Sequence, residues 1–435
     1  MNDVLANADL DAALEEARAA FTARNPASLA RFTDAAAVMP GGNTRSVLFH
    51  APFPLAVARG EGCLLWDLDG HRYIDFLGEY TAGLFGHSHP AIGAAIRGAL
   101  AGGINLGGHT VVEAQFARAV CGRFGLERVR FTNSGTEANL MALATARART
   151  GRGKVVAFAG GYHGGLLTFA GGGSPINAPF DVALAPYNDS AGARAVIETH
   201  RADLAAIIVE PMLGGGGCIP GTPEFLASLR QGASEAGALL VFDEVMTSRL
   251  APGGLQSTLG IRPDLTTLGK YVGGGMSFGA FGGRAEVMDV FDPRRADALP
   301  HAGTFNNNVL TMAAGLAALT EVYTPEAAAA LNARGEALRA RLNRIASGTV
   351  LQFTGLGSMM TAHFRAGPIR SPADAATGNA GLKELFFFDL LAAGLWFARR
   401  GMINLSLPID DAACDALADA VAEFTALRGR LLAAD

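Results

Sequence analysis

Two residues of this chain stand where buried, β-like runs end. Lys270 closes "DLTTLGK" and opens the glycine-rich "YVGGGMSFGAFGG", and Asp243 closes "GALLVFD". Lysine occurs at only three positions, Lys154, Lys270 and Lys383, while arginine is plentiful. A GC-rich coding bias explains the scarcity but not the places where lysine remains. A lysine withdrawn from water loses part of its preference for charge, and its neutral amine becomes a nucleophile able to form a Schiff base. Arginine cannot replace it, because a guanidinium stays protonated. A carboxylate at the end of a buried strand needs a partner. A protonated ring nitrogen would serve, and so would an arginine.

Two further strand ends carry polar groups. In "FTNSGTEANLMALATARART", Ser134, Gly135 and Thr136 open an alanine-rich helix. Ser134 and Glu137 have the spacing of a capping box. The same exposed N–H groups, helix dipole and hydroxyls suit a phosphate. In "AGGYHGG", Tyr162 is placed either to stack on a flat ring or to pack in a turn, with His163 beside it. Along the chain the order is phosphate cup, stacking aromatic, acid for a ring nitrogen, and nucleophilic amine. Together these describe a site for pyridoxal 5′-phosphate.

The elements that must position these groups are legible as patterns. From about residue 90, near-continuous apolar runs alternate with helical stretches, the mark of a largely parallel α/β sheet covered on both faces. Ligands of such sheets sit beyond the strand ends. Residues 9–22 read as an amphipathic helix, and 55–76 as short antiparallel strands with a turn at Asp69-Gly70. A helix is expected from about Asn306 and another over 326–346, followed by strands in "VLQFTGLGSMMTAHF". The expected division is an N-terminal helix and strand segment over 1–85, a large α/β domain over 86–320, and a smaller α+β domain over 321–435.

The 435 residues are half hydrophobic and 17% charged, so the chain builds a core. The net charge of −5 offers no basic field for nucleic acid or an anionic membrane. Cys63, Cys121, Cys218 and Cys414 form no CxxC pair, which fits a reduced, cytoplasmic location and no metal site. The acidic N-terminus is not a signal peptide, and no apolar run is long enough to span a membrane. The histidines lack a ligand spacing, and Met359 and Met360 read as core. No GxGxxG opens a helix after the first α/β strand, which argues against a nicotinamide-dependent enzyme.

The motifs "NSGTEAN", "GGYHG", "VEPM", "LLVFDEVMTSR", "DLTTLGKYVGGGMSFGAFGG" and "HAGTFNNN" resemble those of class III aminotransferases of fold type I. Within that class the chain is similar to the glutamate-1-semialdehyde aminomutase branch, and more so to aminotransferases acting on β-amino acids such as β-phenylalanine. The resemblance implies a mostly parallel seven-stranded sheet with a smaller α+β domain. It implies that Lys270 forms the Schiff base with the cofactor and then moves the substrate proton. Asp243 would keep the ring nitrogen protonated, with Ser134, Gly135 and Thr136 on the phosphate and Tyr162 and His163 at the ring. Glu210 and Val245 match pocket-wall positions. Thr304 matches a threonine that reaches the phosphate of the neighbouring subunit, implying a homodimer.

Substrate choice rests on two arginines. Arg45, in "GGNTRS", resembles a carboxylate clamp, for which the planar guanidinium is suited. In "LWFARRGMINLSLP", Arg400 matches an arginine holding the carboxylate of a 2-oxo acid acceptor such as 2-oxoglutarate, with Arg399 an alternative. Trp396 and Phe397 depart from the small residues or proline of the family pattern and are expected to reshape one pocket. The expected activity is amino transfer from a β-amino acid, with an aminomutase or racemase as alternatives on the same scaffold. A non-catalytic cofactor-binding protein is disfavoured by the joint presence of Lys270 and Asp243.

Overall fold

The computed structural model describes residues 9–433. The chain opens with the helix Leu10–Arg24, its N-cap Asp9 accepting from the Asp11 N–H. Three short strands follow, β1 (Val57–Glu61), β2 (Leu64–Asp67) and β3 (Arg72–Asp75), paired antiparallel. Gly70, between β2 and β3, has φ 87°, a conformation that glycine adopts without a Cβ penalty.

The central sheet is built from β4 (Arg128–Thr132), β5 (Lys154–Phe158), β6 (Asp181–Ala185) and β7 (Leu204–Val209), followed, after the two-residue pair β8 (Met212–Leu213) and β9 (Ile219–Pro220), by β10 (Leu239–Asp243), β11 (Leu265–Gly269) and β12 (Gly279–Gly283). Its spatial order is β4-β12-β11-β10-β7-β5-β6. Every residue of β7, "LAAIIV", is buried, as a strand covered on both faces requires. β12 runs antiparallel to both β11 and β4, while the other neighbours are parallel. The apolar runs "RVRFTNSG", "KVVAFAGG", "LAAIIVEPM", "GALLVFDEV", "DLTTLGK" and "FGAFGG" correspond to strands, whereas β6 carries no such run. Its "DVALA" is exposed at the first position and only half-buried over the next three, which weakens the apolar signal at a sheet edge.

Downstream, the helix expected from Asn306 begins at Val309. Asn308 is its cap, accepting from the Leu310 and Thr311 N–H groups, so residues 306–308 lie outside it. The helix Pro325–Ile345 starts with Thr324 as cap and proline at the first position. β13 (Leu351–Leu356), β14 (Met359–Phe364), β15 (Leu395–Trp396) and β16 (Met402–Asn404) complete the fold. β15 adds to β3 in the N-terminal sheet, and β16 pairs with β14. The five residues between β15 and β16 thus connect two small sheets, and they include Arg399 and Arg400. Met359 and Met360 are fully buried. No helix among the described residues is long and apolar enough to cross a membrane.

Glycines around Lys270 serve backbone packing. A Cβ at Gly274 would meet the main chain of Ala314, and one at Gly273 would meet the Phe278 ring. A Cβ at Gly279, on β12, would run into the Ser134 carbonyl and the Thr132 hydroxyl. Gly279→Ala is expected to destabilise the protein by about 1–3 kcal/mol, read as a lowered denaturant midpoint, and to loosen the start of the helix after β4. An unchanged midpoint would contradict this packing.

Candidate active site

β4, β5, β10 and β11 point the same way, so their C-terminal ends share one edge of the sheet. That edge gathers Ser134 to Thr136, Tyr162 and His163, Asp243 and Lys270. Where chain directions are this constrained, residues far apart in sequence converge.

Lys270 directly follows β11 and has φ 53°, the left-handed region that β-carbon-bearing residues rarely occupy. The groups packed around its amine strip water from it, and Arg400 adds repulsion; its pKa falls from 10.5 to about 8. Asp243 pulls the other way and Arg45 adds a smaller repulsion. A Cβ at Gly135 would press on Val245, as would one at Gly269. The Val245 side chain is thereby wedged between the head of the phosphate cup and the residue before Lys270.

Among the described residues, Asp243 has no arginine partner. Its Oδ2 accepts from Asn139 Nδ2 and His163 Nδ1, each at 2.8 Å, and its Oδ1 accepts from the Val245 N–H at 3.0 Å. Thr267 donates to Asn139 Oδ1 at 2.7 Å, which orients that amide. Asn139 also donates to the His163 carbonyl. His163 is therefore a support for the carboxylate. Burial opposes charge on His163, but the hydrogen bond and charge of Asp243 outweigh it and raise its pKa. Its Nε2 is buried without a partner. Glu210 accepts from the Tyr162 and Gly214 N–H groups at 2.9 Å, and burial raises its pKa to about 7. Tyr162 is 48% exposed, leaving a ring face available over this site.

The helix Gly135–Thr150 begins at the cup. Ser134 caps it, accepting from the Glu137 N–H at 3.1 Å. The reciprocal half of the expected capping box is displaced, because the Glu137 carboxylate reaches the Asn133 N–H and side-chain amide instead. A Cβ at Gly164 would run into Thr136, whose hydroxyl accepts from the Gly165 N–H. A helix N-terminus, paired hydroxyls, a buried carboxylate and a desolvated amine on one edge fit the donor needs of pyridoxal 5′-phosphate. Ser134, Gly135 and Thr136 would hold its phosphate and Asp243 its ring nitrogen, beside the Lys270 amine.

The two arginines stand at a turn that sequence reasoning did not single out. Glu79, Tyr80 and Thr81 all have left-handed φ. Arg45, 46% exposed, pairs with Glu79 at 2.7 Å. The Arg400 guanidinium lies 5.1 Å from the Tyr80 ring centroid, a cation–π contact. Tyr80 donates to the Val47 carbonyl at 3.0 Å, tying this turn to the Arg45 segment. Arg399 is engaged elsewhere, with Glu384 at 2.6 Å. Phe397 is 1% exposed and packs edge-on against Phe386 and Phe387, while Trp396 packs near Tyr73. Phe397 fills core, while Trp396 is half-buried beside the cluster that includes Met212, Met246 and Tyr80. Thr304 is exposed and away from these groups, in a cleft with Gly107 and Gly108. Asn139 and Thr267 also escaped notice; the only available signal was a polar residue on a buried face.

Competitive acetylation of the ligand-free protein, read by peptide mass spectrometry, should show Lys270 gaining reactivity as pH rises through about 8. Arg400→Met removes a repulsive charge and should move that midpoint upward, toward the ordinary lysine value. A midpoint unmoved by the substitution would contradict the electrostatic coupling.

Residues 49–424 match the family described as aminotransferase class-III. Over 431 residues the chain is 58% identical to the β-phenylalanine transaminase of Variovorax paradoxus, covering 98% of this chain and 99% of that one. The crystal structure of a β-phenylalanine aminotransferase from Variovorax paradoxus is similar with a TM-score of 0.96 at 58% identity, covering 98% of this chain and 99% of its own. A transaminase structure with pyridoxal phosphate bound is similar with a TM-score of 0.86 at 32% identity, covering 93% and 98%. With its lysine, aspartate and helix N-terminus on one sheet edge, the chain belongs to the class-III aminotransferases, which move amino groups with pyridoxal 5′-phosphate.

Proposed function

We propose that this aminotransferase takes the amino group of a β-amino acid, an aromatic one such as β-phenylalanine, and delivers it to a 2-oxo acid such as 2-oxoglutarate. The observation that carries the reading is the pair of guanidinium groups beside one amine. Arg45 and Arg400 both repel charge on Lys270, and they flank the Glu79-Tyr80 turn. Two fixed cations suit two carboxylate substrates that take turns in one site. An aminomutase, which shifts an amino group within one molecule, needs no separate acceptor clamp.

Bound here, the cofactor supplies a carbonyl that condenses with amines and an electron-poor ring that acidifies the adjacent C–H bond. Asp243 holds a proton at the ring nitrogen, and Asn139 and His163 fix the carboxylate in place. Lys270 Nζ, whose hold on its own proton desolvation weakens, takes the proton from the amino-bearing carbon and returns it on the other side of the exchange. Arg45 orients the donor carboxylate and Arg400 that of the acceptor, while Tyr162 covers the ring. Ser134, Gly135 and Thr136 anchor the phosphate, and Glu210 and Val245 shape the wall near the ring.

The protein acts as a homodimer in which Thr304 serves the partner's phosphate. In support, Ile104, Leu106, Val111 and Phe305 are all exposed near the Thr304 cleft, Val111 by 76%. Such a large exposed apolar surface marks an association site.

Incubated with β-phenylalanine and 2-oxoglutarate, the enzyme should produce glutamate. No glutamate, with another amine donor active, would sink the substrate assignment. Arg45→Ala should raise the donor KM by roughly ten- to a hundredfold, the worth of a charged hydrogen bond. Sedimentation should report a dimer, and Val111→Glu together with Phe305→Glu should shift it toward monomer.

A further inference from the structure

Among the described residues, no carboxylate pairs with Arg400. Its Nη2 meets the Met402 sulfur at 3.4 Å, its Nε is buried without a partner, and its guanidinium rests on the Tyr80 ring. An arginine without an ion pair is placed by its backbone. Arg399 and Arg400 are the two central residues of a tight turn. The Gly401 N–H closes it by donating to the Ala398 carbonyl at 2.7 Å, and the Ala398 N–H donates to the Met402 carbonyl at 3.1 Å. One side of the turn is docked on β14. There the Ala362 N–H donates to the Gly401 carbonyl at 2.9 Å, and a Cβ at Gly401 would run into the Ala362 carbonyl.

The other hold on the turn is Arg399, which donates from Nη2 to Glu384 Oε2 at 2.6 Å. Glu384 Oε1 accepts from Arg18 Nε at 2.9 Å and lies 2.8 Å from its Nη2. The Glu384 side chain is 9% exposed, whereas each arginine is 42% exposed. A carboxylate that far from water, with a guanidinium on each oxygen, holds both more firmly than a surface ion pair does. Arg18 lies in the middle of the first helix, Leu10–Arg24. That helix packs along the helix Ala380–Ala392, with Phe21 against Phe388 and Leu10 beside Gly381. A continuous link of charged contacts therefore runs from the first helix through Glu384 to Arg399, the covalent neighbour of Arg400.

We infer that Arg18 and Glu384 are positioning residues for the acceptor: through Arg399 they fix the turn that aims Arg400 at the carboxylate of the 2-oxo acid. This rests on the reading of Arg400 as the acceptor clamp. It gives the first helix, remote in sequence from the sheet edge, a share in substrate choice. Arg45 pairs with Glu79 and has no bond to this turn, so donor recognition stays outside the link.

The test separates the two half-reactions of the holoenzyme, each followed through the cofactor spectrum. Arg18→Met and Arg399→Met should each weaken 2-oxoglutarate about fivefold, the worth of a partly exposed charged contact. The half-reaction with an active amine donor should stay within about twofold. Arg18→Lys, which keeps a charge for Glu384, should recover most of the loss. The double variant Arg18→Met with Arg399→Met should be no worse than Arg399→Met alone, because both act through one link. Equal losses in both half-reactions, or additive losses in the double variant, would overturn the assignment. Acetylation of Lys270 in ligand-free Glu384→Gln supplies a second reading. Loss of a negative charge acting through space lowers the Lys270 midpoint, whereas a loosened Arg400 repels Lys270 less and raises it. A rise is expected, and a fall or no change would overturn the link. A rise with 2-oxoglutarate unaffected would leave the link standing and remove Arg400 as the acceptor clamp.

Discussion

A carboxylate buried at the end of a parallel strand is the constraint around which the site is arranged. Asp243 sits in the sheet interior with no arginine partner among the described residues, held by an asparagine, a histidine and a backbone N–H. A buried acid without a strong cationic partner is costly unless its lone pairs are met. The neighbouring elements supply those donors: Asn139 from the helix after β4, His163 from the loop after β5, and Thr267 of β11 through Asn139. The donors come from several separate strands or helices, so the carboxylate is positioned only when the whole sheet is assembled. The site is in this sense a product of the tertiary fold rather than of any local motif.

Close backbone packing extends that dependence to Lys270. Gly279 of β12 lies against the Ser134 carbonyl, and Val245 bridges Gly135 and Gly269. The phosphate cup, the strand bearing the acid and the strand bearing the amine are therefore in direct van der Waals contact. Interiors this dense transmit displacement rather than absorb it. The left-handed backbone at Lys270 is sustained by the same packing.

Much of this was legible in the sequence because its signals are local. An apolar run that ends in a charged residue marks both a strand and its functional end, as with "LLVFDE" and "TTLGK". Motif order then identified the family, and the sheet followed. What could not be read depended on which side chains meet. Glu137 satisfies the capping-box spacing yet bonds Asn133, because the chain entering the helix brings that amide closer. Phe397 reads as a pocket residue because of its position near Arg400, but its side chain turns into core, while that of Trp396 beside it stays half-buried. Periodicity gives no sign of the Glu79-Tyr80 turn, which exists only as a run of unusual backbone angles.

The connection between β15 and β16 joins two small sheets and carries Arg400, while Lys270 and Asp243 belong to the large one. The machinery for moving a proton and the surface that meets the incoming acid are thus inherited through separate structural units. Substitutions in the short connection can explore new molecules without disturbing the sheet edge where bonds are broken. A lineage built this way can diversify its diet while its chemistry stays constant.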